Sequence, residues 1–133
     1  MKYLCLIYDD EAVLEAMPKS AADAFLGEYF AFTDEIGRSG HLVAGEALHP
    51  VASATTIRIR NGKLSATDGP FAETREQLGG FYLIEARDLN EAIQVASRIP
   101  SARIGSIEIR PVVNFENDPA EGVPSHAARP AGA

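Results

Sequence analysis

Two segments of the chain are apolar at both odd and even positions. They are Lys2–Tyr8 (KYLCLIY) and Phe81–Ala86 (FYLIEA). Successive side chains of a strand point to opposite faces of the sheet, so a strand that is apolar on both faces is buried on both sides. The pattern therefore predicts two inner strands of a sheet that is covered on its two faces.

Two other segments follow the period of an amphipathic helix. The first runs between Ser20 and Gly40 and carries one apolar stripe, formed by Phe25, Tyr29, Phe32 and Ile36. We expect Ser20 to cap its start, since serine favours that position. In the second segment Asp88 precedes Glu91 by three residues, which is the spacing of a capping box, and Pro100 ends the helix.

Shorter strands are predicted between and after these elements. They are Leu42–Leu48, Thr55–Arg60, Lys63–Thr67 and Ile107–Val113. The second and third of them flank Asn61-Gly62, the dipeptide typical of a two-residue hairpin. The predicted order is β-α-β-β-β-β-α-β, which is an α+β fold: a ferredoxin-like βαββαβ core with an inserted β-hairpin.

The apolar pattern of the two inner strands also predicts a partner. Two helices cover only one face of such a sheet, and an apolar second face left in water exceeds what monomers usually expose. A second copy packing sheet against sheet is the simplest cover. We therefore expect a homodimer.

Composition fits one small domain in a reducing compartment. The 133 residues carry 12 basic and 19 acidic side chains, and this net charge of −7 disfavours direct binding to nucleic acid. The single Cys5 cannot form an internal disulfide, and the N-terminal apolar stretch is too short for a membrane span or a signal peptide, so we expect a cytoplasmic protein with no membrane partner. We predict a domain over residues 1–113 and a flexible tail rich in proline and alanine over residues 114–133.

The segment that begins at Asp68-Gly69-Pro70-Phe71 has a more specific resemblance. The run TDGPFAETREQLGGFYLIEARDLNEAIQVASRIP, the opening KYLCLIYDDE, the middle SGHLVAGEALHP and the closing GSIEIRPV closely resemble the DGPF family of YCII-related proteins. The match extends over roughly Met1 to Val113. It implies a ferredoxin-like fold assembled as a dimeric α+β barrel, and a genetic association with extracytoplasmic-function sigma factors. It implies no activity, and chemistry transferred from muconolactone isomerases or small monooxygenases with the same barrel would be fold analogy alone.

Asp68 and Phe71 are the first candidate site residues. The Asp68 carboxylate can accept hydrogen bonds from the backbone of its turn, and this structural interpretation is favoured. The functional alternative is a general base or substrate anchor at the mouth of a cavity, with Phe71 as its apolar wall. For Phe71 itself, a role as a core anchor is the favoured interpretation.

His41 and Glu46 are the other candidates for proton transfer. His41 enters the second strand, and imidazole titrates near neutral pH, although a surface or helix-capping role is the favoured interpretation. Glu46 stands on a short apolar strand, alongside Leu42. It either pairs with Arg58 or Arg60 or acts as an acid or base in the cavity.

Tyr8, Thr74 and Arg75 are candidate ligand-binding residues. Tyr8 ends the first strand and can orient a substrate carbonyl or fill an interface. Thr74 and Arg75 follow the DGPF turn and can bind an anionic ligand or remain in solvent. No spacing of histidine, cysteine and carboxylate residues is typical of a metal site, and Gly79-Gly80 is not a phosphate-binding loop, so we predict neither a metal nor a cofactor.

Two functional hypotheses remain open at this point. In the first, a cavity of the dimer binds a small, partly apolar or anionic molecule, with isomerase-like or lyase-like proton transfer by Asp68, His41 and Glu46. In the second, the protein is a non-catalytic accessory or sensor module of a sigma-factor system. The first requires acid and base groups that converge on a common point, and the second requires none.

Overall fold

The computed structural model describes residues 1–118, and the elements follow the predicted order with one additional helix. The strands are β1 (Lys2–Asp9), β2 (Leu42–Ala47), β3 (Thr55–Arg60), β4 (Lys63–Asp68), β5 (Gln77–Glu85) and β6 (Ser106–Pro111). The helices are α1 (Glu11–Glu15), α2 (Lys19–Arg38) and α3 (Leu89–Ala96), with short 3-10 turns at Val51–Ser53 and Pro100–Arg103. Most of the predicted tail lies outside the described residues.

Four of the strands form one antiparallel sheet in the order β2-β5-β1-β6. Without the inserted hairpin, this is the strand order of a ferredoxin-like βαββαβ fold, so the predicted α+β class is confirmed. β1 and β5 are the two inner strands, as their apolar pattern predicted. β3 and β4 form a separate two-stranded sheet, joined by a turn in which Asn61 has φ 53° and Gly62 has φ 74°. Positive φ at both positions is the type I′ geometry that the Asn-Gly dipeptide favours.

The core lies between α2, α3 and one face of the sheet, which we call the helix face. From the two inner strands it receives Tyr3, Cys5, Ile7, Tyr82 and Ile84, all of them buried. The predicted helical stripe supplies Phe32 and Ile36, and α3 supplies Ala92, Val95 and Ala96. Alternation along β1 thus determines which of its side chains the helices cover.

The helix starts agree with the prediction at α3 and differ from it at α1 and α2. At α3 the Glu91 N–H donates to Asp88 Oδ1 at 2.9 Å, as expected for this cap. α2 begins one residue before Ser20 and has Pro18 at its N-cap position, so the prediction that Ser20 caps this helix was wrong. The acidic segment after Tyr8 ends β1 and starts α1, a helix that the apolar pattern did not predict, with Asp10 Oδ1 accepting the Ala12 N–H at 2.9 Å.

The opposite side of the sheet, which we call the open face, carries the other half of the apolar pattern. It presents Leu4, Leu6, Phe81 and Leu83, each half-buried in the single chain. Glu46 lies beside Phe81 in the register of β2 and β5. Because β2 has a bulge between Leu42 and Ala44, Leu42 faces the helices, and the expectation that it lies alongside Glu46 was wrong.

The described helices were also compared with the dimensions of a bilayer. None of those within residues 1–118 combines the length and the apolar character that crossing a membrane requires.

Candidate functional site

A cleft of about 540 Å³ opens between the first two helices and the helix face of the sheet. This volume falls within the range of small-molecule sites, about 300–1,000 Å³. Its apolar wall from the helices consists of Leu14, Met17, Ala22, Phe25, Leu26, Tyr29 and Phe30. Its floor is formed by β2 and β5 and includes Gly45, Ala47, Gly79 and Gly80.

Two glycines of this floor are required by close approaches. A Cβ atom at Gly45 would lie 2.7 Å from the Tyr82 ring, and one at Gly80 would lie 2.7 Å from the Glu46 carbonyl oxygen. Both glycines therefore allow β2 and β5 to pair while the floor stays open. The Gly79-Gly80 pair, which was not predicted to belong to a binding site, lines the cleft.

One end of the cleft contains a buried chain of polar side chains. Asp9, which is 8% exposed, accepts a hydrogen bond from Ser101 Oγ at Oδ2 over 2.8 Å. Ser101 Oγ also forms a short hydrogen bond with the Tyr29 hydroxyl. Since the single Ser101 proton is donated to Asp9, Tyr29 donates to Ser101. The hydroxyl groups thus form a relay from α2 to the carboxylate at the end of β1.

The second oxygen of Asp9 has no hydrogen-bond partner among the described residues. Burying an ionised oxygen without a partner costs free energy, and protonation removes much of that cost. Burial accordingly raises the pKa of Asp9, opposed by the Ser101 hydrogen bond and aided by the negative charge of Glu76. Burial also raises the pKa of Tyr29 to about 12, so this hydroxyl keeps its proton at neutral pH.

The relay depends on elements that are far apart in the sequence. Asp9 is the last residue of β1, whereas Ser101 lies in the 3-10 turn that Pro100 begins after α3. Gly105 brings this turn against β1: a Cβ at this position would overlap the Tyr8 carbonyl oxygen and lie 2.7 Å from Asp9 Oδ1. Phe25 packs edge-on against Tyr29 with ring centroids 5.4 Å apart, which fixes the tyrosine ring beside the cleft.

A larger depression, of about 820 Å³, lies between the first two residues and residues 112–118. The charged side chains that line it, Lys2, Glu85, Glu116 and Asp118, are all exposed. Because acid–base chemistry is favoured by buried titratable groups, the cleft with Asp9 is the stronger candidate site.

The structure does not bring the residues predicted for proton transfer together. Asp68 ends β4 and is exposed, and its turn is closed by other groups: Gly69 N–H donates to Ala54 O at 2.7 Å, and Thr56 Oγ1 donates to Gly69 O at 2.8 Å. Asp68 itself makes no side-chain hydrogen bond within residues 1–118. Phe71 is 80% exposed, so the expectation that it anchors the core was wrong, and it provides no wall for the cleft in the single chain.

His41 lies at the other end of the sheet from Asp9, although its neighbour Leu42 lines the cleft. Its Nδ1 is 2.6 Å from Ser39 Oγ, and its Nε2 is 3.4 Å from Glu91 Oε1. The His41 carbonyl accepts from Glu85 at the last residue of β5, whereas Asp9 pairs with Gln77 at the first, a separation of about 25 Å along the strand.

Glu46 and the predicted ligand-binding residues are likewise dispersed. Glu46 lies opposite Phe81 in the strand register and also contributes to the lining of the cleft, so it is the one predicted proton-transfer residue that borders it. Its side chain has no hydrogen bond or ion pair in the described part of the chain, so neither Arg58 nor Arg60 pairs with it there. Tyr8 is on the open face, opposite Ser106 of β6. Thr74 Oγ1 donates to Glu76 O at 2.6 Å, and the exposed Arg75 lies 3.7 Å from Asp10.

The sequence analysis missed Asp9, Ser101 and Tyr29 as site residues. Asp9 could have been found, because it shares the odd-numbered face of β1 with Tyr3, Cys5 and Ile7, and a carboxylate on an apolar face is unusual. Ser101 gave no such signal. Within residues 1–118 no three histidine, cysteine or carboxylate side chains are grouped so that they could hold a metal ion.

Comparison with known proteins agrees with this fold. The family model of the YCII-related domain matches residues 1–116. An uncharacterized protein of Rhizobium meliloti is 36% identical over 118 residues, which cover 87% of this chain and 95% of the relative. The range that the family model covers spans all six strands of the described chain. The chain therefore belongs to the YCII-related family.

Proposed function

We propose that this protein binds a small, largely apolar molecule in the cleft between α2 and the sheet, and that Asp9 transfers a proton to or from it. The observation that carries the proposal is the buried carboxyl of Asp9 at one end of an apolar cleft. The apolar walls supply affinity through the hydrophobic effect, and the carboxyl supplies the only buried charge in the described lining.

The hydroxyl relay suits Asp9 to acid–base work. In the ionised form its carboxylate accepts a proton from the ligand, while Ser101 and Tyr29 stabilise the charge through their hydrogen bonds. In the neutral form it returns the proton to another atom, as an isomerase or lyase requires. The raised pKa brings the two forms closer in free energy at neutral pH, which favours proton transfer in both directions.

Filling the cleft tests the binding part of the proposal. Ala22 lines the cleft from α2, whereas Ala24 is exposed on the same helix and does not line it. The probe is 8-anilinonaphthalene-1-sulfonate, whose aromatic rings fluoresce strongly in apolar surroundings. We expect Ala22→Phe to lower the affinity for this probe, measured by its fluorescence, at least tenfold, and Ala24→Phe to leave the affinity unchanged. Equal binding by both variants would place the probe outside the cleft and remove the proposal's support.

Deuterium exchange tests the proton-transfer part. The substrates are a panel of small cyclic ketones and lactones, and NMR follows the exchange of their acidic C–H hydrogen for deuterium from the solvent. We expect the wild-type protein to catalyse this exchange for at least one member of the panel, and we expect Asp9→Asn to abolish the catalysis. A protein that binds the probe in the cleft but exchanges no member of the panel would be a binding module, as in the accessory-module hypothesis.

A further inference from the structure

The β3–β4 hairpin extends away from the rest of the described chain. It pairs with no other described strand, and every residue from 55 to 68 except the half-buried Thr56 is exposed. Its base is held by the two hydrogen bonds around Gly69. An isolated two-stranded hairpin is at best marginally stable in water, so a hairpin of this length is expected to pack against something.

One face of the hairpin is apolar. Ile57 and Ile59 project from β3, and the register places Ala66 and Leu64 opposite them. The two isoleucines and Leu64 are 63%, 64% and 67% exposed in the single chain. Three adjacent large apolar side chains on one face of an otherwise uncovered hairpin are typical of an interface.

The charge of the hairpin differs in sign from that of the chain. Residues 55–68 contain three basic side chains, Arg58, Arg60 and Lys63, and one acidic side chain, Asp68, whereas the whole chain has a net charge of −7. The hairpin is therefore attracted to the acidic body of another copy, while two acidic bodies repel each other. Among possible protein partners, this complementarity favours a second copy of the same chain.

A second copy also offers an apolar surface of its own. The open face of the sheet presents Leu4, Leu6, Phe81 and Leu83, and no described helix packs on it. We propose that the hairpin is a docking arm whose face of Ile57, Ile59 and Leu64 packs onto the open face of a second copy. In a two-fold dimer each arm docks on the other copy, so one contact covers both unpartnered surfaces. This inference does not depend on ligand binding in the cleft.

The double substitution Ile57→Thr with Ile59→Thr tests the arm. Threonine keeps the β-branched shape and a high strand propensity, so the hairpin itself should persist. We expect the dimer dissociation constant from analytical ultracentrifugation to rise at least tenfold, with an unchanged far-ultraviolet circular dichroism spectrum. Ile93→Thr is the matched control, because Ile93 is 47% exposed on α3, away from both surfaces, and should leave the constant unchanged.

A second variant and a second measurement keep the test decisive. Arg58→Glu with Arg60→Glu retains the apolar face, and we expect it to weaken the dimer and to abolish the decrease in affinity that added salt causes in the wild type. Hydrogen exchange should show β3 and β4 amides protected in the dimer and unprotected after dilution to monomer. A wild-type protein that stays monomeric, or a dimer whose hairpin amides remain unprotected, would overturn the proposal. A dimer with unprotected hairpin amides would indicate that the two copies pack sheet against sheet without docking of the arm.

Discussion

Replacing Ser101 by alanine tests whether Asp9, Ser101 and Tyr29 act as one unit. Ser101 is fully buried, donates to Asp9 Oδ2 at 2.8 Å and accepts from the Tyr29 hydroxyl. Ser101→Ala removes both hydrogen bonds and leaves two buried polar groups without partners. A hydrogen bond to a charged group contributes about 1.5–3 kcal/mol and a neutral one about 0.5–1.5 kcal/mol, so the free energy of unfolding at neutral pH should fall by about 2–4 kcal/mol.

The loss of stability should depend on pH in a defined direction. Burial raises the pKa of Asp9 above its ordinary 3.8, and the Ser101 hydrogen bond lowers it, so the variant has the higher folded-state pKa. In both proteins the unfolded chain releases the Asp9 proton near pH 3.8, whereas the folded protein keeps it to a higher pH. The folded variant keeps this proton to a higher pH than the folded wild type does. Its free energy of unfolding therefore decreases more as the pH rises from 3.8 through the folded-state pKa. The difference between variant and wild type should be small in acid and larger at neutral pH.

Urea unfolding, followed by circular dichroism in acid and at neutral pH, measures this difference between variant and wild type. Ser97→Ala is the control, because Ser97 is exposed and its hydroxyl donates only to the Gln94 carbonyl. This change should alter the free energy of unfolding by less than about 0.5 kcal/mol at either pH. A Ser101→Ala loss that is the same at both pH values would refute the assigned direction of the hydrogen bonds, and a loss as small as the control's would refute the relay.

Three further predictions follow from the contacts. Gly105→Ala should destabilise the protein by about 3 kcal/mol or more, because the new methyl overlaps a backbone carbonyl of β1. Gly27→Ala is its control: this position on α2 has open space around it, so the change should stabilise the protein by about 0.5–1 kcal/mol. Urea unfolding measures both free energies. Asp88→Ala should lower the free energy of unfolding by about 1 kcal/mol through the lost cap, whereas Asp68→Ala, which removes no hydrogen bond, should change it by less than about 0.5 kcal/mol. Burial raises the pKa of Cys5 to about 11, so the thiol should not react with Ellman's reagent at pH values well below this until the protein is unfolded in urea.

Local patterns in the sequence predicted most of the fold. The two inner strands, the α3 cap at Asp88 and the turn at Asn61-Gly62 depend on neighbouring residues, and each is found where expected. The start of α2 was displaced because Pro18, with its fixed φ, occupies the N-cap position that Ser20 was expected to fill. The bulge near Val43 had no local signal at all, and it moves Leu42 to the face opposite Glu46.

The candidate site was much harder to predict, because its geometry depends on contacts between distant segments. The Asp9–Ser101 hydrogen bond joins residues 92 positions apart, and no spacing rule connects them. Reasoning from the sequence selected Asp68 and His41 for their chemistry and their positions in loops. The fold places these two on the hairpin and at the far end of β5, where no described contact joins them.

Strand alternation separates the two proposed surfaces of this protein. Tyr8 and Asp9 are consecutive in β1, yet Tyr8 points to the open face and Asp9 to the cleft, because successive side chains of a strand project on opposite sides. A ligand in the cleft and a second copy on the open face therefore contact different side chains of the same inner strands. Each of the two inner strands pairs with a neighbouring strand on both edges, so its side chains project only to these two faces. Binding in the cleft thus requires no partner residue, and docking of the arm requires no ligand.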